Sequence, residues 1–232
     1  MDCAFSRCVM FMPACLHAHM LMRCAGPTHF LQENLMLKLN REDLFSLEKY
    51  AELRPEFRME IMQHKKNRLV AVGPNVTLHF EDRKTMQYQI QEMLRAERIF
   101  DASGIQEELD AYNPLIPDGS NWKATMMVEF PDVDERKVAL GQLLGIEQKT
   151  YVQVEGFSRV HPFADEDMER TTEDKTASVH FLRFELSAAM ITAVKAGAAI
   201  AVGIDHAHYQ HRVDAIAQGA RDSLAMDLAT TH

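Results

Sequence analysis

The sequence predicts an α+β protein in which N-terminal helices and a β-hairpin pack with a ferredoxin-like (βαββαβ) antiparallel sandwich. Three observations carry this expectation. From Lys123 onward the apolar pattern switches between period two and period 3.6 in the order β-α-β-β-α-β, the split βαβ order. Ahead of it, one long amphipathic segment puts Met86, Ile90, Met93 and Leu94 on a single stripe, with Phe100 extending it. Between two apolar runs, 69–72 and 76–80, the triplet Gly73-Pro74-Asn75 marks a hairpin turn.

Taken in order, residues 1–35 read as a non-native extension or a disordered arm. Their apolar run is broken by Pro13, His17 and His19, too short and too interrupted to span a bilayer. Arg23 spoils a cleavage site, and Met36 is the expected start. A helical region with its hairpin then covers 36–121, and the sandwich with a C-terminal helix covers 122–232; 36–232 can also form one compact domain. Asn40 is a helix cap, with Leu44, Leu47, Tyr50 and Ala51 on the buried side, and Arg54-Pro55 is expected to end that helix. A second helix begins at Pro55 and ends in the basic residues His64, Lys65, Lys66 and Arg68, which read as a solvated complement to the helix dipole.

On the long helix, Gln87, Gln91, Arg95 and Arg98 form a polar row open to solvent or a partner, and Glu81, Asp82 and Arg83 gather at its start. The next stretch is a short acidic segment and an irregular loop from Tyr112 to Trp122. There Asp118, Asn121 and the single tryptophan, Trp122, offer polar groups beside an aromatic ring. Strands are expected at 123–130, 150–155, 178–186 and 198–204, and helices at 131–144, 188–196 and 218–228. The four strands are expected in one sheet with both crossover helices on one face. In 178–186, His180 shares the apolar face while Arg183 and Glu185 lie opposite, which makes Arg183 a ligand candidate. The charged stretch 165–175 reads as a solvated loop.

Composition excludes several function classes. A formal charge of -9 over 232 residues disfavours nonspecific nucleic-acid binding. All four cysteines (Cys3, Cys8, Cys15, Cys24) lie in the first segment, so the folded body has no disulfide framework, cysteine-only zinc site or Fe–S ligand set. The body also lacks a Gly-rich phosphate loop, a His-Glu-x-x-His pair, a Gly-x-Ser-x-Gly elbow and the Glu-x-x-His pairs of a di-iron bundle. A cytoplasmic protein bound to neither membrane nor nucleic acid is the resulting expectation. One metal pattern stands out: His206, His208 and His211 leave a strand within six residues, a candidate site for a divalent metal. Candidate ligand-binding residues elsewhere are Glu81, Arg83, Gln87, Arg95, Asp118, Asn121, Trp122 and Arg183.

Several phrases together, HKKNR, TLHFEDRKTMQYQIQEMLRAERI, ELDAYNPLIPDGSNWKATMMVEF, YVQVEG, SVHFLRFEL and VGIDH, resemble bacterial domain-of-unknown-function family 3501 from about Leu37 to Leu228. The resemblance supplies no catalytic residues. It implies a redox or oxidative-stress setting, with rubrerythrin-like and Fe–S oxidoreductase proteins as partners, because genes of the family neighbour theirs. Two functions follow as expectations: a non-enzymatic accessory or binding protein in that setting, or a metal-dependent enzyme or metal-binding protein that uses the C-terminal histidines.

Overall fold

The computed structural model describes residues 38–166, 171 and 174–229. The expectations for residues 1–35 and Met36 lie outside the described residues. Asn40 caps only a single 3-10 turn, Arg41–Asp43, through a capping box with Asp43. The first α-helix, α1 (Leu47–Lys66), starts at the Ser46 cap and runs through Pro55 without a break, which corrects the expected pair of helices. Proline removes one helical hydrogen bond and crowds the preceding turn. Here the turn ahead of that defect is clamped: the Tyr50 hydroxyl donates to Glu92 at 2.6 Å, and Arg54 grips the same carboxylate at 2.7 and 2.8 Å. Phe57, just past the proline, packs edge-on against Phe45 and Tyr50.

The hairpin forms as expected from β1 (Leu69–Ala71) and β2 (Val76–Phe80). Helix α2 (Arg83–Glu97) follows, with Asp82 and Thr85 exchanging cap hydrogen bonds at 2.8 and 2.9 Å. It ends at Arg98 in the left-handed conformation, so Phe100 is turned out and 68% exposed rather than extending the stripe. Helix α3 (Ala102–Tyr112), capped by Asp101, replaces the expected acidic connector. Leu39, Met86, Ile90, Leu94, Leu109 and Ile116 form the small core of this helical region.

Beyond it come β3 (Asn121–Val128), α4 (Val133–Gln142), the single turn α5 (Ile146–Lys149), β4 (Thr150–Val154), β5 (Phe163–Ala164) and β6 (Val179–Glu185). They are followed by α6 (Ala188–Lys195), β7 (Ile200–His206), β8 (Tyr209–Val213) and α7 (Gln218–Met226). The α+β class holds, but the four strands do not share a sheet. One antiparallel sheet has the order β1-β2-β3-β6-β5, and a second has β4-β7-β8. The edge of β3 that a ferredoxin-like order reserves for the last strand is occupied by the hairpin strand β2. Burial explains the division. β2, β3 and β6 alternate buried and half-buried residues, as strands with one covered face do, whereas β7 is buried almost throughout and β4 nearly so. Their side chains join the covered face of the first sheet, and residues from α4, α6 and α7, in one large core.

Among the described residues no helix is long and apolar enough to cross a membrane.

Candidate functional site

The alternation in β3 and β6 determines which side chains reach the uncovered face of the first sheet. Trp122, Ala124, Met126, His180, Leu182 and Phe184 point into the core; Lys123, Thr125, Phe181, Arg183 and Glu185 are half-buried on the other side. Antiparallel register then lines up Lys123, Arg183 and Phe163 across three strands. Opposite this row stands the end of α3 and the connection that follows it, Asn113 to Asp118. Between them is a cleft of about 650 Å³.

Each wall is held by local chemistry. The Asn113 side-chain amide pairs with both backbone groups of Leu39, at 2.7 and 2.9 Å, which fixes the start of the connection. At its other end the Asp118 carboxylate accepts from the Ser120 amide at 2.9 Å, the Ser120 hydroxyl at 2.7 Å and the Asn121 amide at 2.8 Å. These bonds hold Asp118 below the ordinary carboxylate range even though burial alone pushes it up. The intervening Gly119 has φ 97°, a conformation that glycine adopts without strain. Asn121, fully buried, passes a second hydrogen bond to Glu185 at 3.0 Å.

Arg183 is the charged centre of the floor. Its guanidinium donates twice to Glu166, both at 2.7 Å, and once to Glu185, and lies 4.5 Å from the Phe163 ring centroid. These carboxylates raise Arg183 above its ordinary pKa, and Arg183 lowers Glu166. Lys123, its neighbour, donates to the carbonyl of Pro114; burial lowers its pKa.

Of the sequence candidates, Asp118 and Arg183 line the cleft and Asn121 supports it. The others lie elsewhere. Trp122 is fully buried on the core side, its indole donating to the Leu224 carbonyl at 2.9 Å and its ring edge-on to Phe80. Glu81 is buried and accepts from the hydroxyls of Thr85 at 2.7 Å and Thr125 at 2.8 Å. Arg83 pairs with Asp43 at 2.6 Å, and Arg95 reaches Glu92 at 3.4 Å. Arg95 and Arg98 of the polar row on α2 are exposed, but its amide half is not open: Gln87 donates to the Asp43 carbonyl at 2.6 Å, and Gln91, fully buried, bonds the backbone of Phe45 at 2.6 and 3.3 Å. That half reads the entry segment of the chain itself.

His206, His208 and His211 sit on the β7–β8 hairpin. His206 uses both ring nitrogens, Nε2 on the Leu144 carbonyl at 3.0 Å and Nδ1 on the His208 amide at 3.2 Å, while the His211 ring packs on Tyr209. Among the described residues no three His, Cys, Asp or Glu side chains are grouped to hold a metal ion.

The basic cluster at the end of α1 is also not simply solvated. Arg68, 2% exposed, donates to the carbonyls of Phe80 and Glu81, to Ser223, and to Asp227 at 2.5 Å. His64 lies 2.6 Å from Asp82. This buried network ties the hairpin and the start of α2 to the end of α7.

Sequence reasoning missed Lys123, although the alternation of β3 marks it as facing away from the core. It missed Phe163 and Glu166 because they lie on or beside a two-residue strand with no periodic signal.

A family model for a protein of unknown function, DUF3501, matches residues 38–228. The chain belongs to the DUF3501 family. A crystal structure of a protein of unknown function from Burkholderia pseudomallei K96243 is 47% identical, with a TM-score of 0.79 over 83% of this chain and 100% of that one. No curated protein matches this DUF3501 member.

Proposed function

We propose that the protein is a non-enzymatic binding protein whose ligand occupies the cleft between the α3–β3 connection and the uncovered face of the first sheet. The observation that carries this reading is the composition of the cleft. It brings Lys123 and Arg183 side by side among apolar groups (Leu115, Ile116, Phe163, Phe181), with carboxylates fixed at its rim. Polar groups held in place among apolar walls, in a concavity of this volume, are the usual makeup of a small-molecule site. The accessory role beside rubrerythrin-like or Fe–S oxidoreductase proteins, implied by the family resemblance, is the setting we propose for it.

The test is an amide-shift titration of the full chain with benzoate and with indole-3-acetate, two small amphipathic acids. Shifts concentrated at Ile116, Lys123, Phe163 and Arg183, and lost in Ala111→Trp at the cleft lip, support the reading. Shifts scattered over the surface, or none, overturn it. Affinity capture from the native host then tests the setting: recovery of redox proteins no greater than with a tagged control removes it.

A further inference from the structure

We infer that Lys123 is the reactive amine of the cleft and captures a small oxo acid as a reversible imine, with Arg183 holding the acid's carboxylate. This rests on the cleft being a ligand site and specifies its ligand.

Lys123 and Arg183 are directly opposed across β3 and β6 and face the same side of the sheet. Opposed like charges are unfavourable, and a guanidinium does not give up its proton under biological conditions. Of the two, the lysine is therefore the group able to give up a proton. Burial in the cleft acts in the same direction, since it penalises the ammonium, and Arg183 adds to it; Asp118, Glu166 and Glu185 act the other way, yet the balance lowers the amine. A lysine desolvated beside another cation is the arrangement that makes an amine nucleophilic. The bond to the Pro114 carbonyl does not oppose this. A neutral amine keeps an N–H for that acceptor and frees its lone pair.

The carboxylate end of the ligand has a place prepared for it. The Nε and Nη2 edge of Arg183 holds the Glu166 carboxylate in a two-pronged bond, and that glutamate side chain is 53% exposed. An incoming carboxylate takes the same fork by exchange, releasing Glu166 to water. The chemistry then balances without any redox partner. The amine lone pair forms a C–N bond to the carbonyl carbon as the C=O π pair moves to oxygen. Both amine protons leave with that oxygen as water, and a C=N bond remains.

The experiment incubates the full chain with pyruvate and sodium cyanoborohydride near neutral pH, and follows intact mass and peptide maps. The expected result is one adduct per chain at Lys123, formed several-fold faster than at the exposed Lys49 and Lys137. Lys123→Arg, which retains a donor for Pro114, should lose the adduct with its melting temperature unchanged. Arg183→Met should slow trapping by pyruvate several-fold more than trapping by acetaldehyde, which has no carboxylate and registers only the loss of the neighbouring charge. Labelling of Lys123 no faster than of Lys49 and Lys137, or an adduct that survives in Lys123→Arg, overturns the inference. Equal slowing with both carbonyl compounds overturns the role of Arg183. If benzoate shifts the cleft amides and Lys123 is not trapped, the imine is wrong and the binding site stands; if neither occurs, both fall.

Discussion

Asp165 Oδ2 lies 2.6 Å from His180 Nδ1, and this contact ties one wall of the cleft to the core. His180 is fully buried on β6, with Nε2 2.9 Å from the Thr176 hydroxyl. Asp165 is one of two non-glycine residues with positive φ among the described residues, at 51°, which costs roughly 1–2 kcal/mol for an ordinary side chain. It is held there by three bonds to β6: the histidine, the Phe181 amide on Oδ1 at 2.9 Å, and its own amide on the Phe181 carbonyl at 2.9 Å. Phe163 and Glu166, the two cleft residues that engage Arg183, flank this anchor.

His180→Ala should therefore remove the histidine bond from a mostly buried carboxylate and destabilise the fold by about 1–3 kcal/mol. The loss should be local in character. Amide exchange of Ala164 and Asp165 should accelerate well beyond that of β7 and β8 in the same variant. Uniform acceleration across both sheets would show that the histidine serves general packing and not the cleft wall.

The Arg68–Asp227 pair gives a pH prediction. Full burial pushes the Asp227 carboxyl up to about 6, although Arg68 pulls it down. Between its unfolded value, about 3.9, and that point the native state holds a proton that the unfolded chain has released, so this residue's contribution to stability falls as pH rises. Asp82 behaves oppositely: burial opposes ionisation, but His64 and Arg68 bring it down to about 2, and its contribution is lost only in stronger acid. Urea midpoints at pH 4, 5, 6 and 7 should show the wild type losing ground to Asp227→Asn between pH 4 and 6. A constant difference across that range would contradict the assignment.

Pro55 shows where local rules and tertiary structure part. A proline inside a helix costs about 3 kcal/mol relative to alanine, and the residue before it is expected to leave the helical region. The helix persists because Tyr50 and Arg54 both close on Glu92 of α2. Pro55→Ala is expected to raise the melting temperature, and Glu92→Gln to lower it more in the presence of Pro55 than in its absence. Equal effects of the glutamine substitution in both backgrounds would separate the proline from that clamp.

Those cases mark what is legible in the chain. The alternation of Lys123 to Val128 and of Val179 to Glu185 is a property of short windows, and these strands lie where those windows put them. Strand partnership is not such a property. Nothing local to β3 says that β2 rather than β7 takes its free edge, and only the continuous apolar run Ile200 to Ile204 of β7 hints at a second sheet. The candidate site follows the same division. Arg183 is legible from the alternation of β6. Its partners Glu166 and Phe163 are not, because a two-residue strand has no period to detect. Gln91 misleads for a related reason: a buried amide and a solvated one look identical until the Phe45 backbone is known to lie against it.

The second sheet has one close approach that a single methyl group tests. Gly203 of β7 pairs with Tyr151 of β4, and the tyrosine ring lies across the glycine. A Cβ on residue 203 would stand 2.4 Å from the Tyr151 hydroxyl oxygen and 2.5 Å from Cζ. Tyr151 has little room to retreat, being 2% exposed and covered by the Arg159 guanidinium 4.2 Å from its ring centroid. Gly203→Ala must therefore displace the ring, and overpacking of this kind costs about 1–3 kcal/mol. The same displacement breaks the contact between the Tyr151 hydroxyl and Arg212 at 3.3 Å. Because both effects pass through one side chain, the penalty should largely vanish when Gly203→Ala is made in a Tyr151→Ala background. Additive losses in that double-mutant cycle would mean that the glycine is required for the backbone of β7 and not for the tyrosine resting on it.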